Sequence, residues 1–348
     1  ELKFHEAIRE ALDGCLAADP RVLVMGLGVP DPKGVFGTTL GLQKKYGSDR
    51  VFDMPTAENG MTGVALGATL AGMRPVLTHQ RLDFALLAME QMVNQAAKWR
   101  YMFGGRMGAP LVIRLIVGRG WGQGAQHAQS LQAWFAHIPG LKVVLPATPG
   151  DAKGLLTASI EDDDPVIFIE HRWLHGIHGP VPEGRHAEPL GRARVARRGK
   201  DITIVSISYM TIEALRAAEQ LAACGVDAEV VDVRTLRPLD ENTILASVRK
   251  TGRLIVADTS WTFCGASAEI AALAAEKAFG RLKGAPRRIG TVACPIPSTP
   301  ALANLCYPRA REIVEAACSM LGRRKPAAPG GHAKLPLDVP DPSFTGPF

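Results

Sequence analysis

The sequence predicts an α/β protein built from two doubly wound domains with mostly parallel sheets. Three observations carry this. Short β-rich runs alternate with longer helical patterns, the signature of strand–helix–strand units. The β-rich runs are almost continuously apolar, as strands covered on both faces must be. The alternation stops in a polar, Gly- and Pro-bearing stretch at residues 176–192 and then restarts, within a chain of 348 residues that can bury two cores.

Taken in order, the first half should carry strands at residues 22–25, 51–53, 75–78, 111–117, 143–145 and 166–170. Helical patterns lie between them at residues 2–17, 61–71, 84–101, 129–136 and 151–159. The second half restarts with a strand at 202–207, a helix at 211–224, a strand at 227–233 and a helix at 242–250. A strand at 254–257, a helix at 267–279 and a strand at 289–293 complete it. The expected organisation is a first domain at 1–180, a linker at 181–198, a second domain at 199–324 and an extended Pro/Gly-rich tail at 325–348. That tail ends in Phe344-Thr-Gly-Pro-Phe348, whose aromatics suit a docked terminus.

Composition removes several classes of function. At 47% hydrophobic and 21% charged residues, this is an ordinary globular chain. No apolar run approaches the roughly 20 residues a membrane span needs. The start, Glu1-Leu-Lys-Phe-His5, lacks a basic-then-apolar leader pattern. Cys15, Cys224, Cys264, Cys294, Cys306 and Cys318 form no Cys-x-x-Cys pair, so they read as reduced thiols of a cytoplasmic protein. The net charge of +6 is spread along the chain and is not interleaved with aromatics. Nucleic acid is therefore a poor partner, and an acidic substrate or anionic cofactor a better one.

Three stretches could carry chemistry. Glu58, in Asp53-Met-Pro-Thr-Ala-Glu-Asn-Gly60, follows an apolar strand and precedes a helix rich in Gly and Ala. Desolvation there would raise its pKa and let it share a proton with a ring nitrogen; a solvated Glu in an Asn-Gly turn is the plain alternative. His127 follows four glycines in seven residues (Gly118 to Gly124) at a strand-to-helix switch, where ligands of such folds bind. It could serve an oxyanion or carry a proton, or it could be structural. A dinucleotide fingerprint in that loop fails, because the next acid, Asp151, comes too late to hold a ribose. In Arg81-Leu-Asp-Phe84, Asp83 reads as a helix cap, and Phe84 as core or as a face for a planar ring. Asp151 with Glu161-Asp-Asp-Asp164 imitates a diphosphate motif, but the spacing is short. Asp151 reads better as a helix N-cap and the acidic run as a turn.

In this order the pieces resemble the beta subunit of the thiamine-diphosphate-dependent 2-oxoacid dehydrogenases, part of the transketolase-like superfamily. The matching stretches are Thr56-Ala-Glu-Asn-Gly60, Glu90-Gln-Met-Val-Asn-Gln-Ala-Ala-Lys98, Ala125-Gln-His-Ala-Gln129, Pro139-Gly-Leu-Lys-Val-Val144, Asp151-Ala-Lys-Gly154 and Asp232-Val-Arg-Thr-Leu-Arg-Pro-Leu-Asp240. The resemblance runs from about Leu2 to about Leu321 and implies a transketolase-like pyrimidine-binding domain followed by a transketolase C-terminal domain. It implies that Glu58 bonds a pyrimidine nitrogen, that Phe84 stacks on that ring, that Ala57 belongs to the cofactor-binding residues and that His127 is the active-site histidine. It places magnesium and the diphosphate with an alpha partner, in an α2β2 heterotetramer. It also implies a potassium ion on carbonyls at Leu111, Ser159, Asp162 and Asp164. The implied reaction is decarboxylation of a 2-oxoacid and transfer of the acyl unit to a lipoyl group on an acyltransferase.

The chain also departs from that pattern. Met25-Gly26 is followed by Leu27-Gly-Val-Pro30, where acidic residues are expected. Arg81 and Trp121 are unusual beside the cofactor and could reshape the substrate pocket, although Arg81 could equally be a surface charge. Two other readings therefore stand beside the first: a carboligase that transfers the unit to an aldehyde or sugar, and a non-catalytic assembly subunit.

Overall fold

The computed structural model describes residues 1–120 and 123–326. Within them the chain forms a seven-stranded sheet, a five-stranded sheet and a two-stranded ribbon. The first half contains β1 (Leu2–Lys3), α1 (Phe4–Ala18), β2 (Val22–Gly26), α2 (Leu42–Tyr46), β3 (Val51–Phe52), α3 (Glu58–Leu70) and β4 (Arg74–His79). It continues with α4 (Trp99–Met102), β5 (Val112–Val117), α5 (Gln132–His137), β6 (Lys142–Val144), α6 (Pro149–Glu161), β7 (Val166–His171) and β8 (His178–Gly179). The second half contains β9 (Arg194–Arg197), β10 (Ile202–Ser206), α7 (Met210–Ala222), β11 (Ala228–Asp232), β12 (Thr235–Arg237) and α8 (Glu241–Thr251). Then come β13 (Leu254–Trp261), α9 (Ala266–Lys277), β14 (Arg287–Thr291), α10 (Pro300–Ala303) and α11 (Ala310–Leu321).

The large sheet runs β12-β6-β7-β5-β4-β2-β3, and its six first-half strands are parallel. From β2 the chain goes to β3 on one side, then to β4 and β5 on the other. This reversal opens a crevice beyond the carboxyl ends of β2 and β4, where ligands of open parallel sheets bind. Successive residues of one strand serve opposite faces: Val76 belongs to the apolar cluster under α1 and α6, and Leu77 to the cluster under α3. The second sheet, β14-β13-β10-β11-β9, is parallel except for β9, and α7 and α11 cover one face while α8 and α9 cover the other. Both apolar clusters continue through both sheets.

Several expectations change. Residues 194–197, placed in the linker, form β9, and β8 pairs with β1. β12 leaves its own half of the sequence and pairs antiparallel with β6, closing the edge of the first sheet. The preceding Arg234 secures this seam, donating from Nη1 to Asp151 Oδ1 at 3.0 Å and to Glu188 Oε2 at 3.2 Å. Asp151 is therefore not the N-cap of α6. Thr148 holds that position, Pro149 follows it, and the Asp151 carboxylate is aimed at the arginines of the second half. The single helix expected at 84–101 is a 3-10 turn at Phe84–Ala88, a π-helical turn at Glu90–Gln95, a second 3-10 turn at Ala96–Lys98 and then α4. Irregular turns of this kind re-aim side chains near functional sites. The tail expected at 325–348 falls outside the described residues from 327 onward. All six cysteines are free thiols. Among the described residues, no helix is long and apolar enough to cross a membrane.

Candidate active site

The helix α3 starts at Glu58 itself, so Asn59 and Gly60 are helical and the Asn-Gly turn is absent. Glu58 is only 6% exposed, and none of the described residues donates a hydrogen bond to its carboxylate. Its position in the first turn is favourable for a negative charge. The next turn is tied back by Thr62, whose Oγ1 donates to Glu58 O at 2.8 Å and lies 3.5 Å from His79 Nε2 at the end of β4. Burial lowers His79 to about 4, so this imidazole is neutral. Small residues in α3 allow the close approach of the 84–98 segment; a Cβ on Gly63 would already touch the Gln91 side chain at 3.5 Å. Ala57 stands exposed at the N-cap.

A cleft of about 310 Å³ opens beyond β2, β4 and β5. Gly28, Asp31, Lys33 and Phe36 enter it from the loop after β2, Gln80, Arg81 and Phe84 from the loop after β4, and Gln123 and His127 from the loop after β5. Of the predicted residues, Arg81, Phe84 and His127 line this cleft, while Glu58 and Ala57 do not. Trp121 lies outside the described residues.

His127 is oriented by Asp83. Its Nδ1 lies 2.9 Å from Asp83 Oδ2, and a carboxylate can only accept, so Nδ1 carries the proton and Nε2 is left for other work. The ring of Phe84 packs 5.2 Å from the imidazole at an interplanar angle of 57°. Asp83 makes no side-chain bond to the turn it precedes, so its expected role as a cap is replaced by this one. The loop needs glycine at its start: Gly118 has φ +86°, and a Cβ there would lie 2.6 Å from the His171 ring.

Arg81 is buried, which removes the surface-charge reading. Its Nη1 donates to Gly118 O at 2.7 Å, and its guanidinium lies over the Phe36 ring at 5.7 Å. Arg172, also buried, covers the same ring at 4.5 Å. Asp31, Lys33, Phe36 and Gln123 were not anticipated. Asp31, five residues after Gly26, brings an exposed acid to the cleft from a loop whose path the sequence pattern does not reveal.

Of the four carbonyls expected to hold potassium, those of Leu111 and Asp162 already accept hydrogen bonds. Leu111 O accepts from Val166 N at 2.9 Å, and Asp162 O accepts from Arg74 Nη1 at 3.0 Å. A guanidinium on Ile160 O and Asp162 O already brings a positive charge to this corner, so a second cation fits poorly. The acidic run Asp162 to Asp164 is taken up by Lys142, Arg74 and Arg100.

Comparison with known proteins bears on the fold as a whole. Residues 1–176 match the family described as transketolase, pyrimidine binding domain, and residues 191–313 match transketolase, C-terminal domain. The chain is 46% identical over 327 residues to the beta subunit of acetoin:2,6-dichlorophenolindophenol oxidoreductase of Cupriavidus necator, covering 91% of this chain and 96% of that one. It is 42% identical over 320 residues to pyruvate dehydrogenase E1 component subunit beta-1, mitochondrial, of Arabidopsis thaliana, covering 91% and 88%. A solved structure titled split gene transketolase, inactive beta4 tetramer, superposes with a TM-score of 0.74 at 25% identity, covering 92% of this chain and 98% of that one.

Proposed function

The chain belongs to the E1 beta subunits of the thiamine-diphosphate-dependent 2-oxoacid dehydrogenases, within the transketolase-like family, and from that premise we propose how its own residues divide the work. The observation that carries the proposal is a cleft in which His127, oriented by Asp83, stands beside the ring of Phe84, with the buried carboxylate of Glu58 at the start of α3.

Glu58 and Phe84 fit an aminopyrimidine. The carboxylate of Glu58, at the buried start of α3, is free to bond a ring nitrogen, and the half-buried phenyl face of Phe84 in the cleft suits a planar ring. Glu58 would hold and return a proton at a ring nitrogen, with the Ala57 backbone alongside. Bound thiamine diphosphate supplies a carbon nucleophile and an electron sink for the pair left as carbon dioxide departs. His127 would present Nε2 to the reacting carbonyl oxygen and move a proton there. Among the described residues, no group of three or more His, Cys, Asp or Glu side chains could hold a metal ion. We assign magnesium and the diphosphate to an alpha partner, as the likeness to beta subunits of two-subunit enzymes implies.

An α2β2 assembly is supported by exposed apolar side chains on one stretch of chain: Leu87, Tyr101, Met102, Phe103 and Met107, with Val64 and Leu70 on α3. The acceptor in this reading is a lipoyl group on an acyltransferase, and the free thiols suit a reducing cytoplasm. A second reading, transfer to an aldehyde, draws on the buried Arg81 and on the likeness to a transketolase.

The test is release of carbon dioxide from a panel of 2-oxoacids by this chain assembled with its alpha partner, with and without thiamine diphosphate and magnesium. Cofactor-dependent release supports the reading, and no release from any acid overturns it. Capture of the acyl unit by an aldehyde but not by lipoyl protein would establish the second reading. Asp83→Asn should lower kcat by about 10- to 100-fold with little change in KM, because His127 loses its orientation and tautomer. An unchanged kcat would remove Asp83 from this role.

A further inference from the structure

The cleft holds a buried cation that no carboxylate among the described residues pairs with. Arg81 is 3% exposed, its Nη1 is satisfied by Gly118 O, and its Nε makes no hydrogen bond. Among the described residues, the carboxylate that acts on it is Asp83, which is engaged by His127. Burial lowers Arg81 to about 10; burial, and then the charge of Arg81, lower Arg172 to about 9. A guanidinium is costly to bury without a counter-anion.

The surroundings are built to present this charge. Arg81 and Arg172 both lie over Phe36, at 5.7 and 4.5 Å. The loop that delivers Phe36 has φ +31° at Val35 and +59° at Phe36, a left-handed pair that costs energy in a β-branched and an aromatic residue. Lys33 from the same loop lines the cleft and is exposed. Asp31 is the opposing acid; it is exposed, so water screens it far better than it screens Arg81.

We propose that this cleft selects a 2-oxoacid bearing a second anionic group at the end of a short side chain, with Arg81 as the seat of that anion and Lys33 at its rim. The inference rests on the decarboxylating reading above. The scissile carboxylate is the wrong occupant for Arg81, because its charge vanishes as carbon dioxide leaves. A cation fixed on it would stabilise the bound acid more than the transition state. A distal anion keeps its charge throughout, so Arg81 binds ground state and transition state alike and sets KM. A carboxylate, a sulfonate and a phosphonate share the required chemistry and form the arms of the test.

The experiment uses the assembled holoenzyme with thiamine diphosphate and magnesium. Carbon dioxide release is measured from pyruvate and 2-oxobutyrate against 2-oxoglutarate, 3-sulfopyruvate and 3-phosphonopyruvate. One anionic acid should exceed pyruvate in kcat/KM by at least about tenfold, and Arg81→Gln should raise its KM roughly 10- to 100-fold with much smaller change in kcat. Arg81→Lys should restore part of the loss. Lys33→Ala, at an exposed position that tolerates truncation, should raise KM several-fold, by a margin that fades with added salt. The unreactive analogues glutarate, 3-sulfopropanoate and phosphonoacetate should raise the melting temperature of the wild type and not of Arg81→Gln. Preference for pyruvate, or equal KM for the anionic acids in wild type and Arg81→Gln, would overturn the inference and leave the decarboxylating reading standing. Release from no acid at all would overturn that reading. The analogues then decide the anion seat separately: Arg81-dependent protection keeps it, and no protection removes it.

Discussion

Replacing Glu58 with Gln lowers cofactor-dependent carbon dioxide release by roughly 10²- to 10⁴-fold, the usual scale for a positioned acid–base group. The chain should still fold and still purify with its alpha partner. Gln has nearly the same shape, and none of the described residues donates to the Glu58 carboxylate, so the exchange leaves no orphaned partner inside the protein. The melting temperature should stay about the same, because the exchange is nearly isosteric and breaks no bond to a described residue. Stability and activity should therefore part company at this position. Near-normal turnover in Glu58→Gln would end the proposal that this carboxylate manages a proton. Loss of turnover together with loss of fold would show a structural role instead.

Glu170 gives the opposite pattern, and its effect should be the largest on stability. Arg114 on β5 donates from Nε to Glu170 Oε1 at 2.7 Å, and His175 Nε2 lies 3.1 Å from Glu170 Oε2; both ion-pair side chains are fully buried. Removing one partner of such a pair strands the other. Glu170→Ala should cost about 3–5 kcal/mol, whereas replacing Arg114 and Glu170 together with Met should recover most of the loss. Unfolding curves of the wild type and the two variants decide this; a Glu170→Ala protein as stable as wild type would refute it.

The pH dependence has a definite sign. Burial alone would raise Glu170, but Arg114 and then His175 hold it at about 2, below the ordinary 4.5. A depressed carboxylate contributes fully above its unfolded pKa and loses that contribution as pH falls through the folded one. The stability gap between wild type and Glu170→Gln should therefore be complete above pH 4.5 and close toward pH 2. His175, lowered by burial to about 4, acts earlier: the unfolded chain takes up its proton first, so its share is lost between pH 6.5 and 4. A gap that stays constant down to pH 2 would mean that Glu170 is not held by these charges.

The local pattern determined most of the scaffold. Runs such as Leu111-Val-Ile-Arg-Leu-Ile-Val117 are apolar on both sides, and only a strand covered by helices on both faces can bury them. The Glu58 and His127 stretches were legible for the same local reason, since each sits where a strand hands over to a helix. The tertiary structure decided what no short window contains. Asp83 meets His127 across 44 residues of chain, so a residue that reads as a cap becomes the orienter of the histidine. Phe36 meets Arg172 from another loop, and β12 crosses to a sheet built by the other half of the chain. The irregular turns at 84–98 follow from packing against α3, which overrides a helical periodicity that is present in the residues. Local periodicity determines which face of an element is apolar. Which charged side chains are buried together depends on loop paths and strand order, and these put Arg81 inside the cleft instead of at the surface, the placement on which its proposed role in specificity rests.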